Sequence, residues 1–306
     1  MDKLKVIVIC GPTASGKTNL AIEVAKKVDG EIVSCDSMQI YKDMNIGTAK
    51  PTIEEMQGIK HYMIDFVSPD KRYSVSEYKL GAEKAIREIF DKGKVPILVG
   101  GTGLYINSLI YGIEYTDITI NEEYRKELNS IAEIEGLEKL YEMAAKIDKE
   151  AMRTISKNDQ KRITRVLEIY KQTGKTKTEL EVESRKNGIP FLYKVFAINM
   201  DRELLYDRIN IRVDQMIEQG LIKEVKDLLD KYTLFPTSMQ GLGYKETRRY
   251  IEGEITKEEL IEQLKMETRR YAKRQITWFR KNKEITWLDG QTDIQKNINI
   301  ILEEVD

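Results

Sequence analysis

The amino-acid sequence predicts an α/β fold in which a parallel-sheet core is interrupted by a mainly helical insertion. Three observations predict it. Over the first 114 residues, short β-branched runs alternate with helical patterns, the order that builds parallel sheets. From about residue 115 to 192 the β-rich runs stop and charged, helix-forming sequence takes over. After that a β-branched run returns, so the chain leaves a core, builds a subdomain and comes back to complete the core. We expect a core of residues 1–114 and 193–306 and an insertion of residues 115–192, a division that suits 306 residues, more than one ordinary domain.

Taken in order, Val6-Ile7-Val8-Ile9 marks a first strand from Lys5 to Cys10, followed by a helical pattern from Lys17 to Val28. Further β-branched runs place strands at Glu31 to Cys35, Tyr62 to Val67 and Val95 to Val99. Between and after them, helical spacing runs from Val75 to Asp91 and from Leu104 to Tyr111. Beyond the insertion, Tyr193 to Ile198 reads as a strand, followed by an amphipathic helix from Asp201 and a basic helix from Lys257 to about Lys281. A last strand, Glu284 to Leu288, precedes a terminal helix, and no internal repeat is visible.

With 41% hydrophobic and 33% charged residues, the chain is a globular protein rather than a disordered, collagenous or coiled-coil one. No apolar run reaches the roughly 18 residues of a membrane span. Met1-Asp2-Lys3 leads straight into the first strand, so neither a signal peptide nor an anchor is expected. Cys10 and Cys35 each end a short apolar run and read as buried thiols of a reducing, cytoplasmic compartment. With His61 the single histidine, a zinc site or a histidine-based triad is hard to assemble, and His61 reads as a packed or hydrogen-bonded residue.

The formal net charge is -1, which favours neither nucleic acid nor membrane, but the charge is unevenly spread. Residues 115 to 150 hold five Lys/Arg against ten Asp/Glu, and residues 151 to 192 reverse that ratio. From Lys265 to Lys283 eight basic residues face only Glu267. Two concentrated basic segments in a neutral chain can form a surface for a polyanion. In the first, Ile163, Val166, Leu167 and Tyr170 follow helical spacing, which leaves Lys161, Arg162 and Arg165 off the packed stripe. In the second, Leu264, Tyr271 and Trp278 recur every seven residues with Arg269, Arg270, Lys273 and Arg274 between them. Such helices can track a phosphate backbone or simply present a solvated face.

The strongest local signal is Gly11-Pro12-Thr13-Ala14-Ser15-Gly16-Lys17-Thr18, which fits G-x-x-x-x-G-K-[ST] between a strand and a helix. Its glycines let backbone N–H groups wrap an anion at a helix N-terminus. Lys17 adds a fixed positive charge there, and the Thr18 hydroxyl can ligate a magnesium ion bound to that anion. This is a phosphate loop, and it makes the core P-loop NTPase-like. The reaction stays open, because hydrolases, kinases and other diphosphate users share the device. A hydrolase would offer a later strand ending in an acidic magnesium ligand, yet Val95 to Val99 ends in Gly100-Gly101-Thr102-Gly103.

Asp36 follows the second strand of the core and should face the same crevice as the loop, since ligands of open parallel sheets bind beyond the carboxyl ends of strands. A carboxylate there can accept a proton from a nucleophile or merely cap a turn. Arg208 and Arg212 lie four apart, so one helix face can either clamp a diphosphate or stay in solvent.

Together these segments resemble the tRNA dimethylallyltransferase (tRNA isopentenyltransferase, IPP transferase) family over nearly the whole chain. The matching stretches are Gly11 to Thr18, Asp36-Ser37-Met38-Gln39-Ile40-Tyr41, Gly47-Thr48-Ala49-Lys50-Pro51 and Gly100-Gly101-Thr102-Gly103-Leu104-Tyr105. Gly241-Leu242-Gly243-Tyr244-Lys245-Glu246 and Arg270 to Arg280 complete the match. The resemblance implies transfer of a dimethylallyl group from dimethylallyl diphosphate to N6 of the adenosine just 3′ of the anticodon, in tRNAs reading codons that begin with U. It assigns the diphosphate to Gly11, Pro12, Thr13, Ala14, Ser15, Gly16, Lys17 and Thr18, with Thr18 on Mg²⁺ and Arg212, supported by Arg208, opposite. Asp36 would be the general base. Carried over to tRNA contacts are Asp36, Ser37, Met38 and Gln39, Thr102 and Arg125. The segments Lys161, Arg162, Ile163, Thr164 and Arg165 and Gln240, Gly241, Leu242, Gly243, Tyr244 and Lys245 are carried over with them.

The helical insertion would grip the anticodon stem-loop, and the adenine would be extruded to reach Asp36. No Cys/His cluster follows residue 290, as in shorter bacterial members, and a cytoplasmic monomer is expected. The His61-Tyr62-Met63-Ile64-Asp65 segment matches the family only loosely. Two other functions share the phosphate loop: prenyl transfer to free adenine nucleotides, which has less use for two basic helices, and a small-molecule kinase. An RNA-binding protein with a degenerate loop is a third, against which the intact Lys17 and Thr18 argue. The motif by itself does not distinguish ATP from a prenyl diphosphate.

Overall fold

The computed structural model describes residues 4–114, 121–186 and 188–305. Met1, Asp2 and Lys3, which bear on the expectation about a signal peptide, and residues 115–120 of the acidic segment lie outside the described residues. The chain divides into two compact units, residues 1–110 with 190–306 and residues 111–189.

In the first unit, strands β1 (Lys5–Cys10), β2 (Gly30–Ser34), β3 (His61–Tyr62), β4 (Val95–Gly100), β5 (Leu192–Asn199) and β6 (Thr286–Asp289) form one sheet. Its order is β3-β2-β4-β1-β5-β6, and every pairing is parallel. Helices cover both faces, as the near-continuous burial of β1, β2 and β4 requires. On one face, Ile7, Ile9, Ile32, Ile97, Val99 and Phe196 pack with α1 (Lys17–Val28) and α14 (Ile294–Val305). On the other, α3 (Val75–Asp91) seats Tyr78, Ala82, Ile86 and Ile89 against β2 and β4, and α4 (Gly103–Ile110) packs beside it. A short α2 (Ile53–Met56) starts at a Thr52 capping box.

The return segment adds α10 (Arg202–Gln219), α11 (Leu221–Lys231), α12 (Tyr244–Ile251) and α13 (Lys257–Phe279). They share a second apolar cluster that joins Ile40, Tyr41, Met44 and Val67 to Val213, Val225, Met239, Tyr244 and Leu264. Arg269 donates to Asn210 at 2.6 Å and Lys265 pairs with Asp214 at 2.8 Å, which pins α13 along α10.

The second unit holds α5 (Glu122–Ile134), α6 (Leu137–Ile147), α7 (Lys149–Met152), α8 (Gln160–Thr173) and α9 (Lys177–Arg185). Its core gathers Leu128, Leu140, Ala144, Met152, Ile163, Val166 and Leu167. Asp148 ties it together by accepting from Ala151 N–H, Thr178 N–H and the Thr178 hydroxyl at 2.7–2.9 Å.

Of the expected strands, Tyr62 to Val67 is the one that does not form: only His61–Tyr62 pairs, with Tyr41↔Val67 left as an isolated bridge. Met63 and Asp65 sit at φ 57° and 58°, left-handed positions that break a strand. The last strand forms at Thr286–Asp289, two residues later than its expected start. Cys10 and Cys35 are buried free thiols, as expected. Burial raises both, Cys35 to about 12, helped by the neighbouring Asp36 charge. The Tyr78 hydroxyl, donating to Cys35 Sγ at 2.9 Å, opposes that rise. His61 Nδ1 lies 2.9 Å from the Ile59 carbonyl, and burial lowers its pKa.

Candidate active site

Because β4 lies between β2 and β1, three loops meet at the carboxyl edge of the sheet: the phosphate loop after β1, Asp36 after β2, and Gly101-Thr102 after β4. The phosphate loop enters α1 through Gly16, in the left-handed region at φ 85°, with Ala14 also at positive φ, 62°. Such backbone reversals build the kind of concavity that binds anions. Lys17 Nζ donates to the Pro12 carbonyl at 3.2 Å, so it lies back across the loop. The Ser15 hydroxyl is buried inside the same loop, with no partner among the described residues. Burial and the Arg212 charge push Lys17 down to about 8, while Asp36 acts in the opposite direction. Burial likewise lowers Arg212, again opposed by Asp36. Two neighbouring cations whose charge is poorly solvated, with one carboxylate beside them, suit an anionic ligand in electrostatic terms.

Asp36 Oδ1 accepts the N–H groups of Met38 at 2.9 Å and Gln39 at 3.3 Å, so the expected turn-capping role is present. Among the described residues no hydrogen bond to Oδ2 is seen. Thr102 Oγ1 accepts from Ser37 N–H at 3.0 Å. Gln39 Nε2 donates to the carbonyls of Thr48 and Ala49 at 3.2 and 3.1 Å. Met38 packs so tightly on Gly241 that a Cβ there would lie 2.4 Å from its methyl.

The structure thus brings Lys17, Asp36 and Arg212 into one electrostatic site, with Thr18 in the first turn of α1. Arg208, one turn before Arg212 on α10, is exposed, and no contact ties it to Lys17 or Asp36 among the described residues. In the 240–245 segment, Gln240 and Lys245 are exposed. Tyr244 is fully buried, with its hydroxyl donating to Glu224 at 2.7 Å, so its side chain serves the fold rather than a surface contact.

In the helical unit, Lys161 and Arg162 are exposed and Arg165 half-buried, whereas Ile163 and Thr164 are buried. Ile163 belongs to the packed stripe of α8, and the Thr164 side chain is buried with it. Arg125 makes a two-pronged pair with buried Glu168, Nε and Nη2 donating at 2.7 and 2.9 Å.

Two residues escaped the sequence reading. Glu224 accepts the N–H groups of Asn45, Ile46 and Gly47 at 2.8–3.1 Å, fixing the turn whose next carbonyls bind Gln39. Gln275 links two loops of the site through its side-chain amide. A signal for Gln275 existed, since it falls four residues after Tyr271 and three before Trp278, on the apolar stripe of α13.

The chain is similar to known proteins along nearly its whole length. The family model described as IPP transferase matches residues 39–282. A tRNA dimethylallyltransferase of Acetivibrio thermocellus is 52% identical over 303 residues, 97% of each chain. The crystal structure of the tRNA isopentenylpyrophosphate transferase of Bacillus halodurans superposes with a TM-score of 0.74 at 43% identity, covering 99% of this chain and 96% of that one. That of a eukaryotic dimethylallyltransferase acting on tRNA gives 0.79 at 30% identity, covering 99% and 79%. The phosphate loop, the carboxylate beyond β2 and the match of both sequence and fold place this chain in the IPP transferase family.

Proposed function

We propose that the chain transfers a dimethylallyl group from dimethylallyl diphosphate to N6 of the adenosine 3′-adjacent to the anticodon, in tRNAs that read codons beginning with U. The observation that carries the reading is the convergence of Lys17, Arg212 and Asp36, two half-buried cations and a carboxylate with one oxygen engaged. The diphosphate lies in the loop from Gly11 to Thr18, its charge matched by Lys17 and Arg212, with Arg208 available from the solvent side. The N6 nitrogen attacks the allylic carbon, the C–O bond breaks, and diphosphate leaves with the electron pair. Asp36 Oδ2 accepts the proton released from N6. Charge builds on the departing oxygens, which is where Lys17 and Arg212 act.

The donor set suits Mg²⁺. Thr18 supplies a hydroxyl beside the phosphate loop, and among the described residues no cluster of three His, Cys, Asp or Glu forms a protein cage. Thr18 would hold the ion at the phosphate loop, where Mg²⁺ would supply charge neutralisation for the leaving diphosphate. The helical unit, through Lys161, Arg162 and Arg165, holds the anticodon stem-loop by its phosphates. The protein acts as a cytoplasmic monomer. Among the described residues no helix is long and apolar enough to cross a membrane.

The test incubates purified protein with Mg²⁺ and labelled dimethylallyl diphosphate, offering unmodified tRNA or free AMP. Label in tRNA supports the reading. Label in AMP alone moves the protein to free nucleotides, and label in neither, with phosphate transfer from ATP, makes it a kinase.

A further inference from the structure

Gln275 is a polar side chain on the packed stripe of α13, only 6% exposed. Its Oε1 accepts the backbone N–H of Thr13 at 2.9 Å, and its Nε2 donates to the Gly101 carbonyl at 2.9 Å. The first contact is in the phosphate loop and the second in the loop after β4. Gly101 leaves room for nothing else, since a Cβ there would stand 2.1 Å from Gln275 Nε2. From Gly101 the connection continues without a gap. Thr102 N–H donates to the Cys35 carbonyl at 3.1 Å, and Thr102 Oγ1 accepts from Ser37 N–H at 3.0 Å. Cys35 and Ser37 are the two chain neighbours of Asp36.

A buried amide is costly unless its oxygen and nitrogen are both satisfied, and an aliphatic side chain would fill the stripe without that requirement. What the amide provides is a fixed spacing. It is a rigid unit that holds one loop through an acceptor and the other through a donor. We propose that Gln275 is a positioning residue: it sets the separation between the diphosphate cradle and the Asp36 carboxylate, and so the alignment of allylic carbon, N6 and base. This rests on the prenyl-transfer reading above. Reactions held in near-attack geometry are steep in distance, with a misplacement of about 1 Å costing on the order of 10²-fold.

The experiment compares the full-length protein with Gln275→Met, which keeps length and volume but makes neither hydrogen bond, with Thr102→Val, and with the double variant. Each is assayed for kcat at saturating donor and tRNA. Affinities for tRNA and for inorganic diphosphate with Mg²⁺ are measured separately. For Gln275→Met, kcat is expected to fall about 30-fold or more, with both affinities within threefold of the parent. The double variant should lose less than the product of the single losses, because both residues act along one chain of contacts. Should Gln275→Met not fold, Gln275→Glu, which loses the donor to Gly101 but keeps the acceptor for Thr13, is judged by the same split. A kcat within threefold of the parent, a tRNA affinity that falls in step with kcat, or multiplicative losses in the double variant would each overturn the positioning role. A parent protein that moves no label into tRNA overturns instead the reaction on which the proposal rests.

Discussion

Gly100 lies so close beneath Cys35 that a Cβ on Gly100 would stand 2.2 Å from the Cys35 carbonyl oxygen. The contact is backbone on backbone, where no side chain can swing aside. It explains why β4 ends in glycine where a hydrolase would place an acid: the chain must pass close under the segment that presents Asp36. Gly100→Ala is therefore expected to push the β2 loop outward and destabilise the fold by about 1–3 kcal/mol, as an overpacked site does. Thermal denaturation checks the loss, and a transfer assay well below the new midpoint should still show a kcat deficit.

The division of labour within Asp36 is open to direct test. Asp36→Asn keeps an oxygen for the Met38 and Gln39 amides but has no basic oxygen for a proton. Transfer should fall by about 10²–10⁴-fold, the usual contribution of a general base, while tRNA affinity stays near the parent value. Asp36→Ala should add a loss of stability, because the two amides also lose their acceptor. If Asn and the parent turned over alike, Asp36 would be a turn cap and nothing more.

Lys17 gives a pH dependence whose sign follows from its environment. In the free protein its pKa is pushed down to about 8 from the ordinary 10.5. Below pH 8 it is charged and ready for diphosphate. Above that it is neutral when free and must be recharged on binding, so affinity for inorganic diphosphate should fall, by at most tenfold per pH unit from this group. Between about 8 and 10.5 the unfolded chain holds more protons at this group than the folded one, so the group's contribution to stability rises with pH. Titration calorimetry from pH 7 to 9.5 checks the first expectation. Lys17→Arg, which stays charged, should show a flatter profile, and identical profiles would remove Lys17 as the source.

Much of this architecture was legible in the sequence because its signals are local. The phosphate loop, the β-branched run from Lys5 to Cys10 and the apolar stripe of α8 are patterns within about a dozen residues, and each produced the element expected. Failures of the reading came from features with no local signature. The Met63 and Asp65 left-handed turns break the Tyr62 to Val67 run although its composition is strand-like. The bond between Thr13 and Gln275 spans 262 residues and depends on where α13 lands. Glu224 looks like one more charge on an amphipathic helix until the turn at Asn45 to Gly47 folds onto it.

The helical unit offers a prediction that separates surface from core on one helix. Lys161 is exposed, and no contact to it is seen among the described residues, whereas Arg162 pairs with Asp159 at 3.3 Å and Arg165 lies 3.7 Å from Glu168. If α8 tracks tRNA phosphates, Lys161→Gln removes a single counter-charge. It should weaken binding about equally across tRNAs and reduce the slope of log affinity against log salt by about 1. Ile163 is two residues away and fully buried. Ile163→Ala should leave the slope unchanged but lower the stability of the unit by about 2–5 kcal/mol, a cavity cost. Measured together, the two substitutions decide between an RNA-facing helix and a merely solvated one: an unchanged salt slope in Lys161→Gln would assign the grip on tRNA to another surface.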